Sequence, residues 1–131
     1  MDVNKIDLNF IYDFDGEVRT PTGKILIGEG ENKMMPYDLL FGALGSCMYA
    51  NFIGICKKKK ITFDTVKVEV TGEKRDEIPA LLQWVSVKYI VKGGSSEKGF
   101  IQAADLSSKY CSIFQTISNV AKMTCTIEFE S

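Results

Sequence analysis

Four cysteines and no histidine set the chemistry open to this chain. Without histidine there is no Cys–His or Ser–His nucleophile pair, no imidazole base, and little scope for zinc or non-haem iron. The cysteines stand at positions 47, 56, 111 and 125, with no C-x-x-C pair and no zinc-ribbon spacing. No metal or cofactor is therefore expected. Reactive work falls to thiols, carboxylates, hydroxyls, or lysine and arginine.

The four thiols are not equivalent. Cys125 falls in phase with the inward side of a final strand and reads as a small buried hydrophobe. Cys56 follows Cys47 by nine residues, about 900° of helical turn, so it points the opposite way and reads as structural. Cys47 comes directly after Gly45-Ser46, where a helix is thin enough for another segment to come near. Cys111 lies about 100° off the apolar stripe of its own helix, on the flank with Phe100, Ala104, Ser107 and Phe114. That is an edge, where a thiol is both packed and reachable. Spacing alone leaves simple packing as the commoner reading of each, with a Cys47/Cys111 redox pair as the alternative.

The elements that must position these thiols follow from periodicity. Residues 35–56 form an almost uninterrupted apolar helix, opened by Pro36 and Asp38 and closed by Lys57 to Lys60. A helix apolar all round is expected to be buried on nearly every side. Gly42, Gly45 and Gly54 each weaken it by about 1 kcal/mol relative to alanine, which predicts close approach by another backbone. Before it, three short strands are expected, with Asp15-Gly16 as a hairpin turn. After it, residues 66–71 and 83–92 alternate as strands, and 123–130 as a last one. Ser96 would cap a helix over about 97–119, whose core stripe is Ala103, Leu106, Tyr110, Ile113 and Ile117.

Strand runs segregated from two main helices predict a single α+β domain over 1–131, with antiparallel sheet and a central buried helix. One small sheet and one neighbouring helix cannot cover a helix that is apolar on all sides. A second copy of the chain is expected to finish it, as an intertwined symmetric homodimer. The formal net charge of −1, with interleaved signs, argues against nucleic acid or an anionic membrane surface as partner. The apolar helix is long enough to span a bilayer, but its glycines, Asp38 and Asn51 favour a core helix. No basic segment precedes an apolar run at the start, so a cytoplasmic location with reduced thiols is expected.

Two segments carry a family resemblance. Pro36-Tyr37-Asp38-Leu39-Leu40-Phe41-Gly42-Ala43-Leu44-Gly45-Ser46-Cys47 and Leu106-Ser107-Ser108-Lys109-Tyr110-Cys111-Ser112 resemble the OsmC/Ohr family of stress-response thiol proteins. The resemblance runs from about residue 18 to the C-terminus and implies an interface-sited homodimer. It implies that Cys47 is the peroxidatic and Cys111 the resolving cysteine. In the family's best-understood members an arginine from the N-terminal strands and a glutamate just after the motif proline assist the thiol. Here Arg19 lies in the corresponding region, Tyr37 follows Pro36, and the acid is Asp38, one residue later, as in the OsmC-like branch.

A free thiol near pKa 8.5 is only a few per cent ionised at neutral pH, and Cys47 lies too far along its helix for the dipole to help. A nearby cation is therefore expected: Arg19 is the candidate, Arg75, in a charged loop, its reserve, and Asp38 the carboxylate that would orient the arginine. The expected activity is reduction of an organic hydroperoxide in an apolar pocket with Leu40, Leu44 and Phe114, followed by reopening of a disulfide by a dithiol reductant. The alternative is a non-catalytic dimer of the same fold that holds an apolar small molecule.

Overall fold

A computed structural model describes all 131 residues. The chain runs β1 (Asp7–Ile11), β2 (Asp15–Thr20), β3 (Gly23–Gly28), α1 (Pro36–Lys59), β4 (Thr65–Lys74), β5 (Leu82–Lys92), α2 (Glu97–Tyr110), α3 (Ser112–Ser118) and β6 (Lys122–Glu130). This is the expected α+β class. The chain forms two compact units, 1–40 and 41–131.

In the N-terminal unit β1, β2 and β3 form an antiparallel meander in chain order. Asp15-Gly16 is not its first turn. The reversal comes earlier, where Asp13 takes a positive φ of 73° and its Oδ1 accepts the Phe14 N–H. Gly16 instead pairs with Phe10 across the strands, and a Cβ there would collide with the Phe10 ring and the Asn9 carbonyl. Its glycine serves close packing.

In the C-terminal unit β5 is the middle strand of β4-β5-β6. Its Val85, Val87, Tyr89 and Val91 are fully buried at period two. β4 joins it antiparallel, but β6 lies parallel to it, which departs from the expected all-antiparallel sheet. The reason is the connection: α2 and α3 carry the chain back over the sheet, and a return of that length lets the next strand run in the same direction.

The second helix is also two helices. α2 ends at Tyr110, Cys111 takes an extended ψ of 112°, and α3 starts at Ser112. Ser96 caps α2 as expected, its Oγ accepting the Gly99 N–H at 3.2 Å. The buried stripe is rotated by one flank from the expected one. Phe100, Ala103, Ala104, Ser107, Cys111 and Phe114 are inside, while Tyr110 is 68% exposed. Cys111 is thus not at an edge but completely covered.

Within one chain α1 buries a single stripe, Leu44, Met48, Phe52 and Cys56, at i, i+4, i+8 and i+12. Its other sides are not covered within one chain, and by length and composition it could cross a membrane. Phe52 stacks on Tyr89 with ring centroids 4.4 Å apart and packs on Phe63 and Phe100 at 6.3 and 6.1 Å. A Cβ on Gly45 would lie 3.4 Å from a Val70 side-chain methyl, an ordinary side-chain contact and not the backbone approach expected. At Gly42 and Gly54 the space within the chain is open. Lys60 ends the helix at a left-handed φ of 58°, and the Ile61 N–H reaches back to the Cys56 carbonyl.

Candidate thiol site

Cys47 is half-buried on α1, one residue before Met48 and so beside the buried stripe. Asn51, one turn on, donates through Nδ2 to the Cys47 carbonyl at 2.9 Å and lies 3.9 Å from Cys47 Sγ. The second thiol arrives from the break between α2 and α3. Cys111 Sγ donates to Cys47 Sγ at a separation of 2.8 Å. A disulfide needs about 2.05 Å, so these sulfurs can join with little backbone motion.

The break itself is built by Cys111. Its N–H closes α2 on the Ser107 carbonyl at 2.9 Å. Its Sγ accepts the Phe114 N–H at 3.3 Å, taking the place a serine or aspartate oxygen fills at a helix start. Its carbonyl accepts the Gln115 N–H at 3.0 Å. One residue is the last cap of α2 and the first cap of α3, and this turns its sulfur toward α1.

Burial pushes the Cys111 thiol up to about 11; the bond to Cys47 pushes the same way, and the Phe114 N–H pulls back. Cys56 and Cys125 are also pushed up to about 11, chiefly by burial. Neither has a sulfur partner: Cys125 Sγ faces the Ala104 carbonyl at 3.8 Å, and all four cysteines are free thiols.

The assisting residues expected from the sequence make local contacts. Arg19 Nε donates to Glu17 Oε2 at 2.7 Å, and this bond is the main cause that lowers Glu17 and raises Arg19 from their ordinary values. Asp38 Oδ2 accepts the Met35 N–H at 2.9 Å and so closes the start of α1. Arg75 Nε donates to the Pro79 carbonyl at 2.9 Å, across its own loop. Sequence reasoning passed over Asn51 as a neighbour of Cys47. It also gives no sign that the hydroxyls of Tyr89 and Ser107 meet, at 2.8 Å in the buried core. A tyrosine in a buried strand position is the signal that pointed there, because its hydroxyl needs a partner.

Residues 28–126 match the family model for OsmC-like proteins. The chain belongs to the OsmC-like family. Within that family it is 27% identical over 101 residues to Protein YhfA of Escherichia coli K12, an alignment covering 76% of this chain and 75% of YhfA. A hypothetical protein from Aquifex aeolicus VF5 has a crystal structure that covers 100% of both chains at 28% identity, with a TM-score of 0.85. An organic hydroperoxide resistance protein OsmC from Legionella pneumophila shares the fold at a TM-score of 0.73, with 12% identity over 98% of this chain and 99% of its own. This OsmC-like protein carries the two expected thiols on α1 and at the α2–α3 break, both inside the C-terminal unit.

Proposed function

We propose that this OsmC-like protein reduces organic hydroperoxides with Cys47 as the attacking and Cys111 as the resolving thiol. Family membership suggests a redox or peroxide-stress role, and the 2.8 Å approach of the two sulfurs is the observation that carries the finer reading. Cys47 thiolate attacks the outer peroxide oxygen, the O–O bond breaks, and the leaving alkoxide takes a proton to become the alcohol. Cys47 is then a sulfenic acid. Cys111 attacks that sulfur and gives up its proton, hydroxide leaves as water, and a disulfide remains. A dithiol reductant reopens it by exchange, returning two thiols and carrying away the oxidised pair.

Arg19, oriented by Glu17, is the candidate cation for Cys47; Asp38 enters as the residue that sets the helix start. The protein works as a homodimer in this reading. Gly42, Ser46, Ala50 and Gly54 present an exposed run of small residues at four-residue spacing along α1. Such a face suits close approach by a second helix. Leu8, Phe10 and Ile11 are likewise exposed on the N-terminal sheet.

Thiol titration before and after one equivalent of tert-butyl hydroperoxide tests the proposal. Two thiols should disappear rapidly from the wild type, one from Cys111→Ser as a trapped sulfenic acid, and none rapidly from Cys47→Ser. Oxidation no faster than that of a free thiol rejects the reductase and favours the non-catalytic dimer.

A further inference from the structure

Tyr89 and Ser107 form a buried contact that reaches both thiol-bearing helices. Ser107 Oγ donates its one proton to the Ala104 carbonyl at 2.7 Å, so in the 2.8 Å contact with Tyr89 the tyrosine hydroxyl is the donor. The Ser107 carbonyl is the acceptor that closes α2 on the Cys111 N–H. Tyr89 thus holds from β5 the turn that presents Cys111. The same Tyr89 ring stacks at 4.4 Å on Phe52, which belongs to the buried stripe of α1 and lies little more than one turn beyond Cys47. Both Tyr89 and Ser107 are fully buried. In such surroundings a hydroxyl that loses its partner is costly, and the contact has one preferred geometry.

We infer that the Tyr89–Ser107 hydrogen bond, with the Tyr89–Phe52 stack, is a strut that sets the separation of Cys47 and Cys111 and so the ease with which their disulfide closes. Tyr89 and Ser107 are positioning residues: they act through the backbone of α2 and the packing of α1, and neither touches the sulfurs. The strut rests on the Cys47–Cys111 pair of the proposed function, but not on its hydroperoxide substrate.

The reaction that tests it needs no peroxide. Oxidised dithiothreitol takes two hydrogens from the pair, becoming the reduced dithiol as Cys47 and Cys111 form their disulfide. The equilibrium gives an effective thiol concentration for the pair. Tyr89→Phe keeps the ring and its stack but removes the donor; Ser107→Ala removes the acceptor. Each should lower the effective concentration about three- to tenfold, the range of one net hydrogen bond. The double variant should fall no further than either single one, because both remove the same bond. Val87→Ala trims the same strand elsewhere in the core; it should lower the denaturation midpoint of the reduced protein and leave the effective concentration unchanged.

Equal effective concentrations in wild type and Tyr89→Phe would overturn the strut. So would a Val87→Ala loss as large as that of Tyr89→Phe, or a wild-type pair that oxidised dithiothreitol cannot close. A pair that closes with oxidised dithiothreitol yet ignores tert-butyl hydroperoxide rejects only the reductase. The five effective concentrations then still decide the strut.

Discussion

Cys111 and Cys125 differ far more in what they can do than in how they are buried. Burial drives both thiols to about 11. Cys125 sits on a regular strand, where its direction is fixed by the pleat, and its sulfur faces a backbone carbonyl. Cys111 sits where a helix stops and restarts, and that interruption aims its sulfur at Cys47. A perturbed thiol is therefore not a redox site by virtue of its perturbation. The backbone must also bring it a second sulfur.

The sharpest way to break this comparison is to remove the thiols in pairs. With Cys56 and Cys125 both changed to serine, one equivalent of hydroperoxide should still consume two thiols rapidly. Changing Cys47 or Cys111 should abolish disulfide formation, as read by mass spectrometry after alkylation. Next in size is the packing beneath the pair. Phe52→Ala removes a fully buried ring stacked on Tyr89 and should cost about 3–5 kcal/mol in urea unfolding of the reduced protein.

A pH series tests what the two regions share. Thiols of the unfolded chain ionise near 9.0, while Cys56, Cys111 and Cys125 hold their protons to about 11 in the fold. Between those values the unfolded chain sheds protons that the folded one keeps, so stability is full below about 9 and falls as pH rises toward 11. Urea midpoints measured at pH 8, 9.5 and 10.5 should decline in that order, and less steeply in the variant with Cys56 and Cys125 replaced. The smallest effect is expected from Arg19→Gln. Its exposed pair with Glu17 adds little to stability, so the unfolding midpoint should stay within error. In the proposed cycle Arg19 is the cation for Cys47, and its loss should slow the first oxidation step by up to about tenfold.

Much of this was legible in the sequence because alternation and helical spacing report burial directly. β4, β5, β6 and α1 fall where periodicity put them, and Cys47 and Cys111 come together as the motif resemblance implied. The break at Cys111 was not legible. Lys109-Tyr110-Cys111-Ser112 contains neither proline nor glycine, and a sulfur serving as a helix cap leaves no usual compositional mark. A helix continued through it carries Tyr110 inward, whereas the interrupted chain leaves Tyr110 outside and Cys111 within. The direction of β6 escaped for a similar reason, since alternation marks which face is buried but says nothing of strand polarity. Alternation along β5 places Tyr89 inward, but Ser107 is expected on the flank of its helix rather than in the core, and a pattern of apolar and polar letters cannot show that two hydroxyls meet.

Because one sulfur both ends α2 and begins α3, native-state labelling of Cys111 becomes a local clock. An alkylating reagent reaches that fully covered atom only when the joint between the helices springs open, and its attachment then prevents the joint from re-forming. The labelling rate of this single position, followed in dilute denaturant, counts those openings one molecule at a time, without any need to unfold the rest of the chain.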